Sequence, residues 1–323
     1  MKPFAYANPK TIEEAVKLLG DAWGKTEVLA GGTDLVTSLK QNLTSPDKVV
    51  SLKDVEGLSG IVAADGSLKI GATTKLKDLI ANAEVKKNFP CLVTAAESIG
   101  SPQIINVGTV GGDLLQRPRC WFFRQGYGLF GTYEGAALVP DGDNRYHAIF
   151  DNKGPAQFVN PSSLAPGLIA LGATVRVHGP SGTRDLPVAE LFATPKADTD
   201  REYTLKPNEI LTYVSIPMKG LKNATYEIRQ RIGLDWPMVT ASVAYEDSGG
   251  KAANAKVVLG HVAPTPWVSD KAAAALNGQA VGEDSAMKAG AAAAEGATPL
   301  SMNGYKVHQV KVVVKRAVMA SMA

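Results

Sequence analysis

The sequence contains few of the residues that bind metals. Cysteine occurs twice and histidine four times in 323 residues. Two cysteines are too few for a disulfide framework, a structural zinc site or an iron–sulfur cluster built by this chain alone. The histidines show no close ligand spacing. These residues are Cys91, Cys120, His147, His178, His261 and His308. We therefore expect no metal site within the chain.

Long apolar runs and a strong charge imbalance are also lacking. No apolar run reaches the roughly 18 residues of a membrane-spanning helix, and the N-terminus has no apolar signal core. The net charge is only +3, and Lys and Arg form no basic tract. These features argue against membrane insertion and nucleic-acid binding. No Ser-His-Asp set or carboxylate pair stands out either, so we expect no catalytic residue of the chain's own.

The length and the 45% hydrophobic content allow two domains with buried cores. Thr11 and Glu14 form a capping box before a short amphipathic helix, and residues 61–70 predict a hairpin that turns at Asp65-Gly66. Residues 76–99 have a helical pattern, and residues 164–177 predict a helix followed by a strand.

Two segments interrupt this order. Residues 117–160 have no clear period and predict an inserted loop, and a polar segment near residues 194–207 predicts a domain boundary. We therefore expect an α+β protein with domains at 1–198 and 199–323. Beyond the boundary, residues 210–216, 241–246 and 255–262 predict strands of a C-terminal antiparallel sheet. Three helices are expected after residue 270.

A first glycine loop (residues 28–35) follows an apolar strand and precedes a helix. Consecutive glycines let backbone amides converge on an oxygen cluster, and the helix adds the positive end of its dipole. Its residues are Val28, Leu29, Ala30, Gly31, Gly32, Thr33, Asp34 and Leu35. Alone, this loop fits a tight structural turn at least as well as an anion site.

A second glycine loop (residues 109–113) of similar composition lies much further along the chain. It consists of Thr109, Val110, Gly111, Gly112 and Asp113. Two such loops suit a dinucleotide, which has two phosphates and two ends. Neither loop fits the Rossmann fingerprint or the P-loop.

The two loops resemble the FAD loops of the medium subunits of xanthine dehydrogenase and carbon monoxide dehydrogenase. Further similarities follow in the family's order at residues 161–166, 209–211 and 260–266, so the resemblance spans nearly the whole chain. It implies a two-subdomain FAD-binding domain of the vanillyl-alcohol oxidase type and a C-terminal domain of antiparallel sheet and helices. It also implies that both loops hold the FAD pyrophosphate, that Ile99 packs near the flavin, and that Leu211 contacts it from the second domain.

Three positions depart from the family pattern. Asp113 stands where Asn is usual and places an acceptor-only group near phosphates. Ser163 stands where an Asp commonly binds the ribityl chain, and Glu227 where a Lys commonly reaches the flavin. A carboxylate at Glu227 disfavours an anionic reduced flavin unless Arg229 or Arg231 compensates. The inserted loop resembles one that often binds a four-iron cluster, but it keeps only Cys120.

Other residues of the insertion have simpler interpretations. Arg117, Arg119 and Arg124 could guide an acidic partner or hold phosphate, but we expect them to lie in solvent or at a subunit interface. The aromatic run at residues 121–123 could shield the flavin ring, but we expect a partner subunit to cover it. Residues 235–238 are expected to form a structural bend.

The resemblance implies a role in electron transfer. A large partner subunit would carry the molybdenum cofactor and a small one two-iron clusters, and FAD in this chain would pass electrons to a quinone, a protein carrier, oxygen or NAD. The complex would be cytoplasmic, or periplasmic if a partner carries an export signal. Two alternatives stay open: a stand-alone FAD-dependent reductase of the same fold, and a structural subunit that has lost flavin.

Overall fold

The computed structural model describes residues 1–231, 233 and 235–322. Over these residues the strands are β1 (Ala5–Ala7), β2 (Thr26–Leu29), β3 (Lys48–Ser51), β4 (Ile61–Ala64), β5 (Ser67–Gly71), β6 (Thr132–Tyr133), β7 (Ala136–Ala137), β8 (Thr174–Gly179), β9 (Gly182–Pro187), β10 (Ile210–Pro217), β11 (Lys222–Ile228), β12 (Val239–Ser248), β13 (Lys251–Gly260) and β14 (Trp267–Val268). The helices are α1 (Ile12–Leu18), α2 (Leu35–Lys40), α3 (Leu76–Ala81), α4 (Ala83–Asn88), α5 (Pro90–Glu97), α6 (Pro102–Val107), α7 (Val110–Leu114), α8 (Trp121–Arg124), α9 (Leu164–Ala170), α10 (Val188–Leu191), α11 (Asp270–Leu276), α12 (Glu283–Ala293) and α13 (Tyr305–Ala320).

The N-terminal part contains two sheets. The first is parallel, with the strand order β1-β3-β2, and buries Val50 and Leu52 against α1. The second is antiparallel, with the order β4-β5-β10-β8-β9, and packs on α3, α5 and α9 around a larger core. This arrangement confirms the predicted α+β class and the two subdomains of the first domain.

The C-terminal part is a third, antiparallel sheet in the order β11-β12-β13-β14. Helices α5 and α9 pack against this sheet, and α11 and α13 pack against it as well. Alanine and valine dominate its core because closely packed helices leave little room between their axes. The three predicted helices after residue 270 are confirmed.

Strand β10 was predicted as a strand, but its expected place in the C-terminal sheet is wrong. It lies between β5 and β8 of the second sheet, with Val214 opposite Ile70 on one side and Val175 on the other. Val214 is fully buried. A central strand of this kind needs a hydrogen-bonding partner on each edge, and β5 and β8 provide both.

Local signals in the first third are confirmed. Thr11 and Glu14 form the capping box, and Asp65 and Gly66 take the positive φ values of 54° and 70° that the hairpin requires. The helical stretch at residues 76–99 is divided into α3, α4 and α5. Asn82 caps α4, and Pro90 begins α5.

The inserted segment (residues 117–160) contains α8, the hairpin β6-β7 and a small core of Leu129, Ala156 and Phe158. It is therefore ordered although it has little regular structure. A side chain of the C-terminal part forms hydrogen bonds to the inserted segment and holds it in place. Lys306 of α13 is 1% exposed, and its ammonium donates to the carbonyl oxygens of Tyr146 at 2.9 Å, His147 at 3.1 Å and His261 at 2.9 Å.

We predict that Lys306→Met lowers the free energy of unfolding by about 2–4 kcal/mol, because three buried carbonyls lose a charged donor. Urea unfolding measures the change. Lys311→Met is the matched control on the same helix, since Lys311 is exposed, and it should stay within about 0.5 kcal/mol of the wild type. Equal effects of the two substitutions would contradict the anchoring role.

Candidate functional site

A cleft lies where the two glycine loops meet. This main cleft encloses about 1270 Å³, including its open mouth. It continues into a smaller inner chamber, and the two share residues of both loops. The shared residues are Thr33, Asp34, Thr109, Gly112 and Gln116. The chain thus brings two segments that are far apart in the sequence into one elongated site.

The first glycine loop presents free backbone donors. It follows the C-terminal end of β2, and Gly32 has a φ of +83°, which favours glycine. The amides of Gly32, Thr33 and Asp34 donate no hydrogen bond within the described part of the chain. These residues line the cleft, and backbone amides without a partner there suit an anionic ligand.

The second glycine loop is built differently. Its Thr109 hydroxyl accepts a hydrogen bond from the Gly112 amide, and the amides of Val110 and Gly111 donate to Thr74 and Ala72. The amide of Asp113 donates to the Thr109 carbonyl. These amides are therefore occupied. The second loop can therefore contact a ligand through its side chains and through glycines that let the ligand come close to the backbone. The first loop can contact a ligand through its free amides.

Glycine is required where the loops pack together. A Cβ on Gly31 would overlap the carbonyl oxygen of Val107, just before the second loop, and a Cβ on Gly111 would lie 3.0 Å from the Ala72 side chain. The absence of these side chains lets the two loops and strand β5 approach each other. Some of the glycines that suggested a ligand site in the sequence are therefore needed for packing between the loops.

Asp34 joins the first glycine loop to the inserted segment. One carboxylate oxygen accepts a hydrogen bond from the Arg117 amide at 2.8 Å, and the other lies 2.9 Å from Arg124 Nη2 and 3.0 Å from Arg119 Nη1. The Arg117 side chain extends the network to Glu202, with 3.1 Å between Nε and Oε1. The side chains of Asp34 and the three arginines are 13–22% exposed, so solvent screens these pairs only in part.

The three arginines keep part of their side chains exposed, and a place at a subunit interface stays a prediction. Within the chain, Asp34 is a fixed acceptor at the cleft for the guanidinium groups of Arg119 and Arg124. Arg119 also stacks on Trp236, with 4.5 Å between the guanidinium carbon and the ring centroid. The predicted bend at residues 235–238 thus contributes a wall of the inner chamber.

The aromatic run of the insertion is partly covered within this chain. Trp121 packs edge-on against Tyr146 with 5.4 Å between ring centroids. Phe123 lies beneath Arg117, at 5.0 Å from centroid to guanidinium carbon, and it lines the main cleft. Docking of a partner subunit on the part of this run that stays exposed remains a prediction.

Asp113 is a buried acceptor with three donors. Its carboxylate accepts hydrogen bonds from the Ser162 hydroxyl, from the Leu164 amide at 3.0 Å and from Gln116 Nε2 at 3.0 Å. Burial raises the pKa of Asp113 to about 6, although these hydrogen bonds oppose the rise. The side chain thus fastens the segment before α9 to the second loop.

The inner chamber contains Ile99, Asp113 and Ser163. Among the described residues of this chamber, the buried Ser163 hydroxyl, Arg119 Nε and Arg229 Nε have no hydrogen-bond partner. Buried polar groups are rarely left without a partner. Three of them along one chamber indicate that a polar ligand completes the site.

The remaining predicted positions take different places. Leu211 lines the main cleft but lies in the second sheet, so its expected position in the second domain is wrong. Leu29 and Val110 do not line the cleft or the chamber in the described part of the structure. Glu227 forms an ion pair with Arg229 and accepts hydrogen bonds from Ser98 and Thr240.

Several lining residues were not predicted. Thr73 and Tyr203 line the main cleft, and Gln116 lines both spaces. They lie in loops without a periodic pattern, so composition and spacing carried no signal for them. The proximity of Gln116 to the second loop was the only available indication.

Over the residues that the structure describes, no helix is long and apolar enough to cross a membrane. Over the same residues, no group of three or more His, Cys, Asp or Glu side chains is arranged to hold a metal ion.

Comparison with protein families gives two matches that together cover most of the chain. Residues 2–219 match the model of the FAD binding domain in molybdopterin dehydrogenase. Residues 224–321 match the model of the CO dehydrogenase flavoprotein C-terminal domain.

Individual proteins are similar to most or all of this chain. The carbon monoxide dehydrogenase medium chain of Hydrogenophaga pseudoflava is 27% identical over 99% of this chain and 97% of its own length. The aldehyde oxidoreductase FAD-binding subunit PaoB of Escherichia coli is 29% identical over 86% of this chain and 87% of its own length. A solved structure of the Hydrogenophaga pseudoflava carbon monoxide dehydrogenase has a chain that matches with a TM-score of 0.78 at 27% identity, covering 100% of this chain and 99% of that one.

We predict that Asp34→Asn loosens the inserted segment. Two partly buried guanidinium groups lose their counter-charge, and breaking such pairs costs several kcal/mol. Limited trypsin digestion should cleave within residues 117–124 at least tenfold faster. Asp143→Asn is the matched control, since Asp143 pairs only locally with Arg145 in an exposed part of the same segment. Unchanged cleavage in Asp34→Asn would refute the anchoring.

The buried Asp113 predicts a pH-dependent stability. Its pKa is raised on folding from 3.8 to about 6, so its contribution is complete below pH 3.8 and is lost as the pH rises through 6. The change corresponds to about 3 kcal/mol. The free energy of unfolding of the wild type, minus that of Asp113→Asn, should fall by up to this amount between pH 4 and pH 7. Urea titrations at several pH values measure the difference, and a constant difference would show that the pKa is not raised.

Proposed function

Because the chain belongs to the family of FAD-binding subunits of molybdopterin dehydrogenases, we propose that it is the electron-transfer subunit of a heteromeric molybdenum hydroxylase. Its cofactor is FAD, and it is an oxidoreductase subunit. FAD would occupy the main cleft and the inner chamber. The observation that carries the proposal is the row of free amides in the first glycine loop, at the start of a cleft that ends beside three buried polar groups without partners among the described residues.

The residues present fit a dinucleotide. The amides of the first loop would bind the pyrophosphate, and the Thr33 hydroxyl adds a donor there. Thr109, Gly111 and Gly112 line the opposite side, where the lack of side chains permits close approach. The ligand-binding set would comprise Val28, Ala30, Gly31, Gly32, Thr33, Asp34, Leu35, Ile99, Thr109, Gly111, Gly112, Asp113, Ser163 and Leu211. The other predicted positions, Leu29, Val110 and Glu227, line neither space in the described part of the structure and would act from behind it.

Two departures from the family pattern are compatible with this role. The oxygens of Asp113 are directed to Ser162, Leu164 and Gln116, so hydrogen bonds within the protein partly neutralise the negative charge near the phosphates. Ser163 keeps an unpartnered hydroxyl for the ribityl chain. A hydroxyl can both donate and accept, so it serves the sugar-like hydroxyls of that chain.

The third departure concerns charge near the flavin. Glu227 is compensated by Arg229, and the side chains of the two residues are 4% and 7% exposed, respectively. The pair adds little net charge at this end of the chamber. An isolated carboxylate would repel the anionic reduced form of the cofactor. The ion pair would repel it less.

Bound FAD supplies the ability to accept and release electrons singly or in pairs. The chain's own residues bind the cofactor, exclude water from the inner chamber and hold neighbouring charges in place. We propose that a small iron–sulfur subunit supplies the electrons, that a large subunit carries the molybdenum cofactor, and that an external acceptor removes the electrons. Carbon monoxide dehydrogenase and aldehyde oxidoreductase subunits among the relatives support this assembly.

The test is the visible spectrum of the chain purified with whatever binds it, followed by identification of the released flavin. Flavin bands and FAD on denaturation are expected, together with iron–sulfur absorbance from a partner chain. A folded and fully assembled sample without flavin would refute the relay role.

We predict that Gly31→Ala reduces the bound FAD at least tenfold, because its Cβ would push the two loops apart. Flavin per chain is measured by absorbance after denaturation. Gly154→Ala is the matched control, because nothing lies within 4 Å of its added Cβ. The circular dichroism of both variants should match the wild type. Full flavin content in Gly31→Ala would contradict the placement of the pyrophosphate.

A further inference from the structure

A second cavity lies beyond the inner chamber, between the inserted segment and the C-terminal part. It encloses about 980 Å³, including its open mouth. Aromatic and other apolar side chains form most of the wall, and we call it the aromatic cavity. Its lining includes Trp121, Tyr146, Phe158, Val159, Trp236 and Met238.

Three buried nitrogen atoms of residues that line this cavity have no hydrogen-bond partner among the described residues. They are Arg119 Nε, His147 Nδ1 and His261 Nε2. Both histidines are 2% exposed. The other ring nitrogens are engaged: His147 Nε2 lies 3.2 Å from Cys120 Sγ, and His261 Nδ1 lies 3.1 Å from Thr240 Oγ1. Unpaired buried polar atoms are costly, and three of them around one cavity point to a ligand that pairs with them.

The hydrogen bonds from His261 through Thr240 to Glu227 determine whether the free ring nitrogen of His261 is a donor or an acceptor. The Thr240 hydroxyl lies 3.2 Å from Glu227 Oε1, and a carboxylate paired with Arg229 can only accept. Thr240 therefore donates to Glu227, and its oxygen must accept from His261 Nδ1–H. Burial lowers the pKa of His261 to about 3, so the ring is neutral at pH 7. The remaining Nε2 carries a lone pair and is a hydrogen-bond acceptor.

The backbone at His261 is unusual. Its φ is +63°, in the left-handed region that residues other than glycine seldom adopt. Its carbonyl oxygen accepts from the buried Lys306 ammonium at 2.9 Å. The fold thus holds this ring in place at some conformational cost, as is frequent at ligand sites.

We propose that the aromatic cavity is a second ligand site of this chain, selective for a flat molecule of one or two fused rings that carries a hydroxyl or ring N–H donor. The aromatic walls stack on flat rings, and the acceptor nitrogen of His261 requires a donor. The enclosed space of about 980 Å³ lies within the range of small-molecule pockets, roughly 300–1,000 Å³.

The aromatic cavity is next to the inner chamber, but binding in the cavity does not depend on a bound cofactor. Arg119, Asp235, Trp236 and Pro237 line both the inner chamber and the aromatic cavity. A ring bound there would lie on the far side of the Arg119–Trp236 pair from the chamber. The binding itself goes beyond the proposed function, because none of its contacts requires a bound flavin.

Calorimetric titration of the purified complex with two probes tests the proposal. The probes are 2-naphthol, which carries a hydroxyl donor, and 2-methoxynaphthalene, which has the same rings without the donor. We expect saturable 2-naphthol binding at one site per chain and about tenfold weaker binding of 2-methoxynaphthalene, as for the loss of one hydrogen bond.

Two variants locate the site. His261→Asn keeps a side-chain donor for Thr240 and tolerates the positive φ, but it lacks the Nε2 acceptor. It should bind 2-naphthol about tenfold more weakly and no longer distinguish the probes. Val159→Trp should abolish binding by filling the cavity, whereas Val159→Ala, the control at the same position, should bind within threefold of the wild type.

Several outcomes would overturn the proposal: no saturable binding by the wild type, equal binding of the two probes, or unchanged binding by Val159→Trp. His261→Asn keeps the proposal testable if the larger substitution prevents folding. Titration of flavin-free protein separates this result from the proposed function, because naphthol binding is measured as heat whether or not FAD is present.

Discussion

The ion pairs of Asp34 are the interaction on which the arrangement of the site depends. The carboxylate lies just after a parallel strand that leads into the cleft, and it meets the backbone of Arg117 and the side chains of Arg119 and Arg124. Without it, two partly buried guanidinium groups would face each other uncompensated. The same residue therefore shapes a glycine loop, orders the inserted segment and fixes Arg119 between the inner chamber and the aromatic cavity.

The two glycine loops divide the binding between them. The first has free amides and positive φ at Gly32, whereas the second has its amides occupied by neighbouring carbonyls and by Thr109. Gly31 lets the loops touch. The amides of the second loop are therefore satisfied within the protein. The amides of the first loop need a hydrogen-bond acceptor that a ligand must supply.

The sequence predicted the parts of this molecule whose signals are local. The capping box at Thr11, the hairpin at Asp65-Gly66 and the C-terminal helices depend on neighbouring residues, and all are confirmed. The partners of β10 are β5 and β8, which both lie well before it in the chain. The apolar pattern of β10 therefore predicted the strand but not the sheet.

For the site as well, the sequence predicted the local features but not the contacts between distant residues. The glycine loops stood out by composition, and the resemblance supplied their ligand. The partial burial of Arg119 and Arg124 follows from the distant carboxylate of Asp34, and that of Arg117 from Glu202. Charge patterning along the chain does not reveal these pairs. The compensation of Glu227 by Arg229 was foreseeable, because alternate residues of a strand lie on the same face.

The buried Lys306 has a consequence for how the chain can be recombined. Its ammonium lies in the last helix, yet two of its three acceptors, Tyr146 and His147, belong to the inserted segment and the third, His261, follows β13. One buried side chain therefore couples the insertion to the C-terminal part although a long stretch of chain separates them. A chimera that exchanges only one of them must rebuild three carbonyls around a buried ammonium, so hybrids that exchange both together should fold more readily.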